Sequence, residues 1–219
     1  MQSDDPTLAE SVDEALLRAS FALGPNYANL LRANLHAEHA RHRVLALRGA
    51  VRQSLVISGD WLDAMGDPDA SVRREALAQV AYAEINDDRI LDTIATLLAD
   101  NDPLIVDAAV FALGEHLYTT AVEQLADVAM HHDDARCREA AVAALGAIGD
   151  DRGRVAILAA LDDKAPVRRR AIVALSNFEG PDIEAALERA REDRDWQVRA
   201  AVDQFSADEN SRSALRKST

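Results

Sequence analysis

Cys137-Arg138-Glu139-Ala140-Ala141-Val142-Ala143-Ala144-Leu145-Gly146-Ala147-Ile148-Gly149-Asp150 is the stretch on which the fold turns. Counting from Cys137, the places at 0, 4, 7 and 8 are small or apolar. That spacing is one stripe on a helix of 3.6 residues per turn. The stretch recurs. Val72-Arg73-Arg74-Glu75-Ala76, Ile105-Val106-Asp107-Ala108-Ala109, Val167-Arg168-Arg169-Arg170-Ala171 and Val198-Arg199-Ala200-Ala201-Val202 fill the same places. The five first residues, at 72, 105, 137, 167 and 198, are 33, 32, 30 and 31 residues apart. A weaker copy starts at His42-Arg43, with Ala46 and Ala50 in the apolar slots.

Between consecutive copies lies a second amphipathic segment: Asp88–Ala99, Thr119–Met130, Asp151–Leu161 and Pro181–Arg191. Each unit is therefore a helical hairpin. One hairpin cannot bury its own apolar stripe, so neighbouring units have to stack. Alanine in the stripe lets the stacked helices approach closely. The expected fold class is all-α, an α-solenoid (α-α superhelix) of stacked hairpins. Thr7–Leu23 and Pro25–His36 read as two helices that escape the repeat, split by Gly24-Pro25. The expected organisation is an N-terminal helical cap over 1–38 and a repeat array over 39–206. Residues 207–219 are polar and aperiodic, and are expected to form a disordered tail.

Composition agrees with this and excludes much else. The 219 residues are 48% hydrophobic but only 4% aromatic, with six prolines and nine glycines, too few for a turn-rich β fold. The formal net charge is −14, and residues 61–206 hold 29 acidic and 15 basic side chains. A surface with that balance opposes phosphate, so nucleic acid is not an expected partner. The single cysteine, Cys137, allows neither an intrachain disulfide nor a Cys-cluster zinc site. No apolar run reaches the roughly 18 residues of a membrane helix. The opening MQSDDPTLAESVDE lacks a basic segment followed by an apolar one, which predicts no secretory signal and a cytoplasmic location.

The motifs resemble the HEAT repeat family, in particular the short HEAT-like repeats of the phycobilisome (PBS) lyase type, an armadillo-like helical architecture. The matching residues are Asp-Pro at 67–68 and 102–103, the Val-Arg-x-x-Ala starts, Ala-Leu-Gly, and Gly149-Asp150, over about residues 60–206. The resemblance implies that Arg73, Arg138, Arg168 and Arg199 form a ladder with turn aspartates of adjacent units, with Val106 breaking the series. It also implies that the repeated helix lines a concave binding face. Places 2, 3 and 6 of each copy point there: Arg74, Glu75, Ala78, Asp107, Phe111, Glu139, Ala143, Arg169, Arg170, Val173, Ala200 and Gln204. Eight of these, Arg74, Glu75, Asp107, Phe111, Glu139, Arg169, Arg170 and Gln204, are the candidate partner-binding residues.

Candidate chemistry is weak elsewhere. The paired aspartates of the turns (87–88, 100 and 102, 133–134, 150–151, 162–163, 193 and 195) each precede a helix, where they are expected to cap free N–H groups rather than bind a metal. Iron-dependent hydroxylases of the HEAT-like family carry His-Glu pairs on the inner face, and none of the five copies holds a histidine at those places. His36, His39 and His42 step by three and rotate around their helix. Cys137 occupies a core place and reads as a buried thiol. Trp61 and Trp196 are expected to pack the ends of the array. No catalytic, metal or cofactor residues are expected. The reading is a non-catalytic scaffold or adaptor, monomeric or weakly oligomeric, that binds a protein partner. A bilin lyase-like subunit or chaperone acting on a tetrapyrrole protein, and a nucleic-acid-binding array, are the alternatives that the family brings.

Overall fold

A computed structural model describes residues 6–22 and 24–217, with side chains over 12–22 and 24–207. Thirteen α-helices and short 3-10 turns are the regular elements among the described residues. The chain falls into two compact units, one ending at Ile94 and the other beginning at Ala95.

In the first unit, α1 (Pro6–Phe21) and α2 (Pro25–Asn34) pack against α3 (Ala40–Arg52). The predicted first helix ends at Leu23, which lies outside the described residues. Leu16, Ala19, Leu31 and Ala46 form the shared core. Gly49 makes this approach possible, because a Cβ there would sit 2.5 Å from Leu31 Cδ2. α3 and α4 (Ser58–Met65) pack on α5 (Ala70–Val80), and α6 (Asp88–Thr96) follows. Trp61 is buried in α4, as its expected packing role requires.

The second unit repeats the hairpin. α7 (Pro103–Glu115), α9 (Ala135–Ile148), α11 (Ala165–Ala174) and α13 (Trp196–Lys217) stack in that order. α8 (Val122–His131), α10 (Arg154–Ala159) and α12 (Pro181–Ala190) are the return helices. With their flanking 3-10 turns they fall within about two residues of the predicted segments. The stripe is buried as its period demands. Val72, Ile105, Cys137, Val167 and Val198 are each at most 2% exposed, and Ala76, Ala109, Ala141, Ala171 and Val202 are fully covered.

Two expectations change. Trp196 does not close the array: it is 66% exposed at the first position of α13. The segment after Ser206 is not an aperiodic coil either, since α13 continues to Lys217. Nothing from Trp196 to Lys217 is glycine or proline, and alanine, glutamate, arginine, leucine and lysine there favour helix even without an apolar stripe.

The aspartate-rich turns do what their position predicts. Asp69, Asp102, Asp134 and Asp150 each accept the backbone N–H two residues on, at 2.8–2.9 Å. Asp195 caps Gln197 in the same way, at 2.8 Å. The turn before α11 is the exception, because its cap residue is Lys164 and Asp163 is turned elsewhere. α9 ends on Gly149, whose φ of 68° is left-handed backbone that a side chain would resist.

The arginine ladder links the turns. Arg138 donates Nε and Nη2 to Asp163 at 2.6 and 2.7 Å, and Arg168 does the same to Asp193 at 2.8 and 2.7 Å. Arg43, on the weak copy, grips Asp67 at 2.6 and 2.7 Å. In each case Nη1 turns back to the carbonyls of the arginine's own turn: Ala37 and Glu38, His132 and Asp133, or Asp163. Arg73 and Arg199 make the same backward bonds, to the carbonyls of Asp67 and Asp193. The series breaks at Val106, which is fully buried. Asp67 and Asp193 also accept the N–H of Asp69 and Asp195, so the carboxylate that receives the arginine also shapes the next turn.

Such bidentate, nearly buried pairs are strong and geometrically demanding. The hydrogen bonds from Arg138 and Arg168 hold the Asp163 and Asp193 carboxyls below the usual carboxylate range. A depressed folded value means that this stability is fully present above the ordinary pKa of about 4 and is lost as pH falls through the folded value. Arg168→Met should therefore cost about 3 kcal/mol at neutral pH, because it strands a half-buried carboxylate. The gap to wild type should narrow as pH drops below about 4. Urea unfolding followed by circular dichroism across pH measures both, and a gap that does not change with pH would contradict the assignment.

Candidate functional site

The open side of the stacked helices α7, α9 and α11 forms a groove of about 510 Å³. Its floor is nearly featureless: Gly114 on α7, and Ala140, Ala143, Ala144 and Ala147 on α9. One wall carries Asp107, Phe111 and Glu115 at four-residue steps along α7, and Arg136, Glu139 and Arg170 complete the rim. The seam beneath is unusually close. A Cβ on Gly114 would lie 3.0 Å from Ala144 Cβ, and one on Gly146 would lie 2.6 Å from Ala174 Cβ. Asn177 Nδ2 also donates to the Gly146 carbonyl at 2.7 Å. Small residues thus do two things here: they let the helices touch, and they leave the space above the seam empty.

Four of the eight candidate binding residues meet in this groove: Asp107, Phe111, Glu139 and Arg170. Phe111 is 43% exposed. Arg170 Nη2 reaches Glu139 Oε1 at 3.4 Å. The other four are elsewhere. Arg169 and Gln204 belong to the same unit but do not line the groove, and Arg169 Nη1 donates to Gln197 Oε1 at 3.0 Å. Arg74 is exposed on α5, in the first unit. Glu75 is also in the first unit but is only 7% exposed. It holds Arg48 at 2.5 Å and accepts from Gln79 Nε2 at 2.9 Å. Its period places it on the open face, yet Arg48 reaches over from α3 and covers it. Glu115 and Arg136 are groove residues that places 2, 3 and 6 do not include. Glu115 lies four residues beyond Phe111, so extending the stripe by one more turn finds it.

The electrostatics of the groove are uneven. Arg136 is committed to Asp134, with Nη2 at 2.8 Å, and it holds that carboxyl down to about 2. Asp107 is the opposite case. Its side chain reaches solvent, but the surrounding walls raise its carboxyl above the usual range, burial being the largest cause. Arg136 opposes that rise from a distance, while Asp134 and Glu139 add to it. Beneath the floor, burial pushes the Cys137 thiol up to about 11, and its sulfur donates to the Pro103 carbonyl at 3.2 Å. A thiol in that state is a packing group, in keeping with its core position.

Of the six histidines, His36, His39 and His42 lie in the first unit. His39 and His42 meet edge to face with ring centres 5.2 Å apart, and His42 Nε2 is 3.4 Å from the buried Asp13. Among the described residues no three His, Cys, Asp or Glu side chains converge on a metal position. No helix among them is long and apolar enough to cross a membrane.

The family model for HEAT repeats matches in overlapping copies at residues 59–146, 97–176 and 122–205. The chain belongs to the HEAT repeat family. Among solved structures it is similar to an engineered protein, at 19% identity and a TM-score of 0.57, over 96% of this chain and 93% of that one. It is also similar to a designed armadillo repeat protein in complex with the peptide (KR)4, at 14% identity and a TM-score of 0.52, over 94% and 95% of the two chains. A third is the complex of CpcE and CpcF of phycocyanin lyase from Nostoc sp. PCC7120, at 18% identity and a TM-score of 0.51, over 94% and 91%. At these identities the likeness establishes the fold alone. No curated protein matches the chain in sequence. Repeat folds of this kind are typical of non-catalytic scaffolds and commonly bind proteins.

The seam makes a direct prediction. Helix propensity favours alanine over glycine by about 1 kcal/mol. Gly146→Ala should nonetheless lower stability by about 1 kcal/mol or more, because the added carbon meets the Ala174 backbone at 2.7 Å. Gly59→Ala, where nothing lies within 4 Å of the added carbon, should be neutral or slightly stabilising. Chemical denaturation of the two variants gives the comparison.

Proposed function

We propose that this chain is a non-catalytic scaffold that holds an extended segment of a partner protein in the groove across α7, α9 and α11. One observation carries the proposal: the groove has an apolar alanine floor, one exposed aromatic ring and a charged rim, all on helices locked to one another. About 510 Å³ is within the range of sites that take up a ligand group, and rigid walls reduce the ordering cost of binding. The chemistry of the lining supports binding over catalysis. The groove's carboxylates and guanidinium groups are not set against any nucleophile, and the Cys137 thiol below is buried and held protonated. The net charge of −14 and the carboxylates of the rim disfavour a phosphate backbone as the occupant.

A groove of this sort is disabled by filling it. Ala143→Trp and, independently, Ala147→Trp place an indole on the floor, where both alanines retain solvent contact. In selections from a random peptide library, wild type should enrich binders. Each filled variant should bind those peptides at least about tenfold more weakly, a loss of about 1.4 kcal/mol, with an unchanged thermal midpoint. Peptides that bind the filled variants as well as wild type would remove the groove from the account.

A further inference from the structure

The groove wall formed by α7 has a pattern that the rest of the rim lacks. Asp107, Phe111 and Glu115 are four residues apart, so they lie one above the other on the same helix face. The aromatic ring is therefore bracketed by two carboxylates. The other charges of the rim are already engaged: Arg136 with Asp134 at 2.8 Å, and Arg170 with Glu139 at 3.4 Å. Among the described residues Asp107 and Glu115 form no ion pair. The rim's unneutralised charge is thus negative and is concentrated around Phe111.

An aromatic face flanked by uncompensated carboxylates attracts one kind of group. The ring quadrupole favours a cation over its face, and the carboxylates add charge and hydrogen-bond acceptors at either side. A bare ammonium or metal ion would gain little from the alanine floor, whereas the alkyl stem of a long basic side chain can lie along it. The raised carboxyl of Asp107 agrees with a partly desolvated position at which burial outweighs the distant Arg136. A partner surface rich in acidic groups would meet repulsion from both Asp107 and Glu115.

We propose that the α7 wall is a receptor for an arginine or lysine side chain, stacked on Phe111 between Asp107 and Glu115, and that the partner segment in the groove is basic. This rests on the groove being a protein-binding site, and it adds the chemical character of the partner. Asp107 and Glu115 provide the charge, Phe111 the platform, and the Ala140–Ala143–Ala147 floor the contact for the aliphatic stem.

The test uses the full chain and two fluorescent eight-residue peptides, one alternating arginine with glycine and one alternating glutamate with glycine. Anisotropy should show binding of the arginine peptide, weakened by salt, and none of the glutamate peptide. Phe111→Leu keeps apolar bulk but removes the ring, and should weaken binding about 2- to 5-fold. Asp107→Asn with Glu115→Gln should weaken it about tenfold. Glu184→Gln with Glu192→Gln removes the same charge from exposed positions elsewhere, and should leave binding nearly unchanged. Equal losses from the two double variants would reduce the effect to net charge and overturn the receptor. Equal binding of the two peptides would also overturn it. If library selections instead yield groove-dependent peptides without basic residues, the scaffold reading stands and the receptor falls. If Ala143→Trp leaves arginine-peptide binding intact, both fall.

Discussion

The arginine–aspartate rung is the interaction on which the rest of this structure depends. A single guanidinium, on Arg43, Arg138 or Arg168, satisfies carbonyls of its own turn with one nitrogen and grips the aspartate of the next unit with two others. Turn carbonyls next to a helix start would otherwise need water or stay unpaired. At Asp67 and Asp193, the same carboxylate goes on to order the following turn through a backbone N–H. One residue pair therefore closes a turn, ties two hairpins together and sets the distance between them. A repeat of 30 to 33 residues is the length of chain that brings the next aspartate back within reach.

That role recasts the charge of the chain. An excess of aspartate first reads as a statement about partners, but much of it is structural, spent on helix caps and rungs. The charge relevant to recognition is the small remainder that is not spent in this way. In the second unit that remainder includes Asp107 and Glu115. The scarcity of aromatic residues has a parallel cause, since helices that meet through Gly114, Ala144, Gly146 and Ala174 have no room for rings. Phe111 is exposed because it stands on the open side of that seam.

The fold was legible in the sequence because it depends on period, and period survives substitution. The stripe at places 0, 4, 7 and 8 located the repeated helices, and the paired aspartates located their starts. The groove was only half legible. Helical spacing places Asp107, Phe111, Glu139 and Arg170 on one open face, but it cannot register a long side chain arriving from another helix. Glu75 is the instance: the right face, yet covered by Arg48 from α3. Arg169 shows the same limit, adjacent to Arg170 but turned to Gln197. Trp196 failed for a different reason, because a large apolar residue at a helix start carries no periodic information about what it meets. Residues 207–217 lack a stripe, and the helix there follows from propensity and continuity with α13 instead.

The most direct test of this account is a double-mutant cycle on Arg138 and Asp163, using Arg138→Met, Asp163→Leu and the combined variant in urea unfolding at neutral pH. If the rung holds the units together, the coupling energy should be about 1.5 kcal/mol or more, the range of nearly buried, hydrogen-bonded charge pairs. A coupling below about 0.5 kcal/mol, typical of an exposed surface pair, would contradict it.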